Sequence, residues 1–247
     1  VACVLMQYLR TGIISMNADW MGLKNLSQAW WLPPVVLIIG CLIGVWMAHS
    51  VAMTGMPQMV GLLNAFGGLA AALESIALFF SPNALTFLSE TYWKKESVTQ
   101  IVFMVIGIFI GMVTFIGSII ACVKLNGKKL HVPSHPALTN AILLVICLIL
   151  MVLSGLSSYY DSCVRTIEPG VLPFGKWGWI FILLLVVFSS IYGVYFVLPI
   201  GGADMPVVIS VLNAFSGLSG CTAGFMLRNS MLIITGAIVA SSGCILS

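Results

Sequence analysis

The chain has 247 residues; 60% belong to the hydrophobic set, only 7% are charged, and the formal net charge is +3. An ordinary soluble domain carries about 25% charged residues, so this balance excludes a soluble enzyme and a disordered chain alike. Ten scattered Lys and Arg form no basic stripe, which excludes a nucleic-acid binder. The composition is that of a polytopic membrane protein, and at about 20 apolar residues per span the length holds roughly eight helices.

Taken in chain order, apolar runs predict an all-α bundle with helices at 1–16, 31–49, 57–80, 97–123, 137–156, 177–198, 206–227 and 229–246. Pro33 and Pro34 fall in the first turn of the second run, where proline is tolerated. Aromatic pairs at Trp30–Trp31, Tyr92–Trp93, Tyr159–Tyr160 and Trp177–Trp179 mark membrane interfaces. If the spans alternate, all four pairs lie on one face, here side 1. Side 2 then has the links after the second and sixth spans, the basic link after the fourth, and the C-terminus. Lys and Arg number six on side 1 against four on side 2, so charge does not decide orientation. The start at apolar Val1 and the end at Ser247 within an apolar run fit a processed chain or a piece of a longer one.

Residues 44–69 and 193–218 form an internal repeat at an offset of 149. Gly44 matches Gly193, Met56–Pro57 matches Met205–Pro206, and Leu63-Asn64-Ala65-Phe66 matches Leu212-Asn213-Ala214-Phe215. Four spans separate the copies, so the repeat is parallel, an arrangement known in transport folds. Each copy places an Asn seven residues after a helix-initial Pro, about 10 Å into the span. An amide at that depth has to face protein or water. Small residues follow each on its own face: Gly68, Ala71 and Ser75 after Asn64, and Gly217, Gly220 and Gly224 after Asn213. Such stripes predict close helix contact, although the two amides also suit a plain role as interhelical glue.

Ser118 in the fourth span, and Ser241 and Ser242 with Gly243 in the eighth, fall at a similar depth from side 2. Together with Asn64 and Asn213 they predict one polar layer. Glu74 is the only acid within a span, ten residues past Asn64 and about 80° off its face. It is a candidate titratable group, with interfacial snorkelling as the alternative.

Six of the seven cysteines lie in apolar runs without CxxC spacing and are expected to pack, not to bind metal. His49, His131 and His135 stand at or beyond span ends, so no haem-binding pair is expected. The segment from Lys124 to His131 reads as a solvated basic link. No phosphate loop follows a strand pattern, so no nucleotide site, cofactor site or metal site is expected in this chain.

Several segments resemble the membrane domain of proton-translocating NAD(P) transhydrogenase, on its beta side. They are Met53-Thr54-Gly55-Met56-Pro57, Gly107-Ile108-Phe109-Ile110-Gly111 with Thr114-Phe115 and Gly117-Ser118, and Gly201-Gly202-Ala203-Asp204-Met205-Pro206 with Leu212-Asn213. Gly224-Phe225-Met226-Leu227, Thr235-Gly236-Ala237 and Ser241-Ser242-Gly243 complete the set, in the family's order. The resemblance implies a membrane part that couples inward proton flow to hydride transfer from NADH to NADP+. It implies that Asn213, Ser118 and Ser241–Gly243 line and gate the path, and that Asp204 lies in the side-2 link facing a nucleotide domain. Asn64 stands where the family often has His, which implies a protonatable His on a helix from a partner segment. NAD(H) and NADP(H) would sit on domains absent from this chain. The partners implied are those domains, the remaining membrane helices and a second copy of the whole enzyme, in a mitochondrial inner or bacterial plasma membrane with side 2 facing the matrix or cytoplasm. Without the resemblance, a stand-alone secondary transporter or a non-catalytic membrane subunit of a respiratory assembly remains open.

Overall fold

A computed structural model of the chain describes residues 32–50, 55–80, 94–127, 136–165, 178–227 and 229–247. Among these, seven α-helices form: α1 Leu32–Ser50, α2 Met56–Phe80, α3 Lys94–Leu125, α4 Pro136–Arg165, α5 Gly178–Val197, α6 Met205–Met226 and α7 Ser230–Leu246. A 3-10 turn, Gly202–Asp204, precedes α6. No strand is present among the described residues. The protein is an all-α membrane protein: α2 to α6 are each long and apolar enough to cross a bilayer, while Leu37–Met47 and Ser230–Leu246 are shorter apolar helices. The expected helix at 1–16, His131, His135 and most of the interfacial aromatics lie outside the described residues.

The chain divides into two compact units, Val1–Met56 and Pro57–Ser247. In the first, α1 carries Pro33 and Pro34 in its opening turn, and the Ser50 hydroxyl donates to Trp46 O at 2.7 Å. The second unit is built around α3. Without a hydrophobic drive between helices in lipid, close packing of small residues holds such a bundle. A Cβ at Gly111 would lie 2.7 Å from Gly68 O, and one at Gly68 would lie 2.8 Å from Thr114 Cβ. Only glycine lets these two backbones meet.

Contacts along the helices fix their directions. Gly61 of α2 approaches Cys122 of α3, whereas Gly68 approaches Gly111, so α2 and α3 are antiparallel. Gly117 of α3 approaches Leu212 of α6, whereas Gly107 approaches Thr222, so α3 and α6 are antiparallel as well. The repeat helices α2 and α6 therefore run parallel, as the even span count requires. They also touch at equivalent positions: Gly67 meets Ser216, its counterpart at the offset of 149.

Two apolar clusters fill the unit. One gathers Met104, Ile108, Ile182, Leu185 and Met226. The other, at the side-2 end, gathers Ala121, Val197, Met205, Val208 and Leu212. Helix α4 runs nine residues past its expected end. Ser154, Ser157 and Ser158 each donate to a carbonyl of their own helix at 2.8–3.0 Å. Hydroxyls satisfied in this way do not break a helix, so apolar patterning stops before the helix does. At the other boundary, Gly127 with φ +76° follows the last turn of α3, and its N–H donates to Lys124 O at 2.9 Å.

Candidate functional site: a polar level between three helices

The contact registers show which polar residues share a level. Gly61 lies near Ser118 O and Ile209 Cδ1, and Gly67 lies against Ser216. Asn64, between Gly61 and Gly67, is thus level with Ser118 and Asn213. On α6, Ile209, Asn213 and Ser216 follow an i, i+4, i+7 spacing and share a face. Both outer members touch α2, so Asn213 belongs to the face turned toward α2. On α3, Gly107, Gly111, Thr114, Ser118 and Cys122 form the stripe against α2, and Ser118 sits within it.

Burial follows this arrangement. Asn64 is 9% exposed and Ser118 is fully buried, while Asn213 is half-buried. Gly68, Ala71 and Ser75, the face predicted beside Asn64, are all buried. The Nδ2 of Asn64 and the Oγ of Ser118 have no hydrogen-bond partner among the described residues. Thr114, one turn away, is different: its hydroxyl donates to Ile110 O at 2.7 Å. The other unpartnered buried side-chain oxygen, Asn140 Oδ1, lies one turn into α4. An unpartnered buried polar group costs about 1–3 kcal/mol. Asn64 and Ser118 are therefore the polar groups of this level that call for a partner.

Ser241 and Ser242 are at a similar height but on another side. Helix α7 packs on α6 through Gly236, Ala240 and Gly243, spaced four and three apart. That leaves Ser241 and Ser242 on the outward face, donating to Ile238 O and Val239 O at 3.0 Å each. The expected five-residue layer does not close within this chain, because helical rise gives depth and not direction. Gly243 is buried against Ala214, and its carbonyl accepts from Ser210 Oγ at 2.9 Å. Ser210 is an α6–α7 tie that patterning missed. Gly217 and Gly224 face α7 as expected, but a Cβ at Gly220 would meet nothing within 4 Å among the described residues, so the predicted stripe holds at two of its three positions.

Glu74 is half-buried on α2, about 15 Å beyond Asn64. Its neighbour Ser75 is the residue turned inward, near Gly107, with its hydroxyl donating to Ala71 O at 2.8 Å. Asp204 is exposed at the N-cap of α6 and makes no side-chain cap bond; its N–H donates to Gly201 O at 3.2 Å. Immediately after it, Met205 is fully buried. Cys41, Cys122, Cys147, Cys221 and Cys244 are free thiols.

Lys124 departs from the reading of its segment as solvated, whereas Asn126 and Gly127 are exposed and residues 128–131 lie outside the described residues. Lys124 lies in the last turn of α3, and its ammonium donates to Leu198 O at 2.6 Å, Ile200 O at 2.7 Å and Val197 O at 3.4 Å. The signal was a lysine directly after an apolar run with a glycine three residues on, which marks a helix end more than a free link.

Comparison with known proteins places the sequence among related ones. The sequence profile of the family described as NAD(P) transhydrogenase beta subunit matches residues 5–247. An NAD(P) transhydrogenase subunit beta from Rhodospirillum rubrum is 35% identical over 217 residues, which is 86% of this chain and 42% of that protein. A second protein of the same name, from a particular strain of that organism, is similar to the same extent. The chain thus spans less than half the length of these relatives.

Proposed function

The chain belongs to the NAD(P) transhydrogenase beta subunit family, and from that premise we propose that it is the membrane domain that couples inward proton movement to hydride transfer from NADH to NADP+. The observation that carries the reading is the pair of buried, unpartnered polar atoms, Asn64 Nδ2 and Ser118 Oγ, level with Asn213 between α2, α3 and α6. Amide and hydroxyl groups order water but hold no proton at neutral pH. A titratable group has to join them, and a His on a helix of a partner segment near Asn64 fits that need. Glu74 is the alternative within the chain, and its distance and face count against it. Ser241 and Ser242 line or gate the path where another helix covers the outer face of α7, and Gly243, packed on Ala214, sets how closely α7 approaches α6. Asp204, exposed beside α6, is the contact toward a nucleotide-bearing domain, which places side 2 in the matrix or bacterial cytoplasm. NAD(H) and NADP(H) are held by other parts of the enzyme, which pairs as a homodimer. Family membership does not favour a stand-alone transporter or an inert subunit.

The test uses full-length enzyme in proteoliposomes. Asn213→Leu should block proton-coupled hydride transfer and leave proton-independent exchange between bound nucleotides intact, because it removes polar lining and touches no cofactor. Glu74→Gln should change coupled turnover little. Wild-type coupled turnover in a correctly inserted Asn213→Leu enzyme defeats the path, and loss of coupling in Glu74→Gln alone makes Glu74 the titratable group.

A further inference from the structure

Helix α5 ends at Val197, and Pro199, which has no N–H, lies in the link that follows. The carbonyls at this end have few donors from their own segment; Ile200 N–H reaches Val197 O at 3.3 Å. Lys124 supplies them from α3: one ammonium group donates to Val197, Leu198 and Ile200. Its three donors suit three convergent carbonyls, and its charge complements the negative end of α5. The same two helices also approach closely farther along, since a Cβ at Gly193 would lie 3.0 Å from Val113 O. After Ile200 the chain passes directly into the Gly202–Asp204 turn and then to buried Met205. The link that presents Asp204 is therefore held at one end by Lys124 and at the other by Met205.

Lys124 also lies six residues beyond Ser118 on one unbroken helix, about 9 Å away. We infer that Lys124 is a positioning residue that fixes the Leu198–Asp204 link to α3, so that a force on Asp204 displaces Ser118 within the polar level. The lock itself stands on the hydrogen bonds; its part in coupling rests on the function proposed above. Lys124→Met keeps the aliphatic stem and removes all three donors. Lys124→Arg keeps the charge and supplies donors in a planar fork.

Two readouts on the full-length enzyme in proteoliposomes separate the claims. The first is amide hydrogen exchange at Ile200–Asp204, with the amides of α6 and α7 as the folding control. Lys124→Met should speed exchange in the link by about tenfold or more, since hydrogen bonds to charged groups are among the stronger ones. The second is the number of protons moved per hydride transferred, which a general loss of stability leaves unchanged because both rates fall together. This ratio should drop in Lys124→Met and recover in Lys124→Arg. Lys124→Leu, which likewise removes every donor, replaces the Met variant if that one fails to insert. Unchanged exchange in the link overturns the lock. Faster exchange with an unchanged ratio overturns the coupling role. If wild-type enzyme moves no protons, the functional reading fails, and the exchange experiment still decides the lock.

Discussion

Ser118 and Thr114 show how differently two hydroxyls on one helix face can be employed. Thr114 is satisfied by Ile110 O, whereas Ser118 Oγ is buried without a partner among the described residues. Removing a satisfied hydroxyl loses a hydrogen bond, while removing an orphaned one relieves a desolvation cost. Ser118→Ala should accordingly leave stability unchanged or raise it by up to about 1 kcal/mol, yet slow proton-coupled turnover. Thermal unfolding in detergent together with a coupled assay tests this, and a marked loss of stability would show that Ser118 has a structural partner. Ser241 and Ser242, exposed and bonded to their own carbonyls, should each tolerate Ala within about 0.5 kcal/mol in the isolated chain. At this scale the sequence revealed which residues are polar at which depth. It did not reveal that Ser118 turns inward while Ser241 turns outward, because that depends on which neighbour each helix meets.

Helix α3 is the element on which the unit depends, and its glycines set its spacing from α2. Gly111→Val would drive two methyls toward Gly68 O and Ala72, both within 3 Å of the new Cβ. Overpacking of this kind costs about 1–3 kcal/mol, so the variant should unfold at a lower temperature than wild type. Gly220→Ala, with open space around it, is the matched control and should unfold at the wild-type temperature or above. Equal unfolding temperatures for the two variants would mean that α2 and α3 do not approach as closely as their backbones indicate. Apolar runs located most helices to within a few residues. They failed at α4, whose serines cap their own carbonyls, and at Lys124, whose partners lie 73 to 76 residues away, at the end of α5 and in the link after it. Local patterning carries no information about such partners.

Within the unit Pro57–Ser247, the repeat is the one long-range feature that the sequence did disclose. Equivalent residues Gly67 and Ser216 meet, with a Cβ at Gly67 lying 3.0 Å from Ser216 Oγ. In a background lacking the native cysteines, Gly67→Cys paired with Ser216→Cys should form a disulfide under mild oxidation, since bridged Cβ atoms stand about 3.5–4.5 Å apart. Gly67→Cys paired with Thr222→Cys, nearly two turns further along α6, should not. Cross-linking of the second pair and not the first would refute the parallel register. That register also has an electrical consequence. Asn64 and Asn213 lie at one height, about 10 Å from the side-2 surface in a hydrocarbon layer of about 30 Å. A charge held there has about two thirds of the transmembrane voltage on its side-1 flank and about one third on its side-2 flank. At about 2.3 kcal/mol per charge per 100 mV for the full crossing, the voltage contributes about 1.5 kcal/mol to occupying the level from side 1 and about 0.8 kcal/mol to leaving it toward side 2. Because the two repeat helices are parallel, the field meets both asparagines from the same end, and the level acts as an asymmetric divider of the membrane potential.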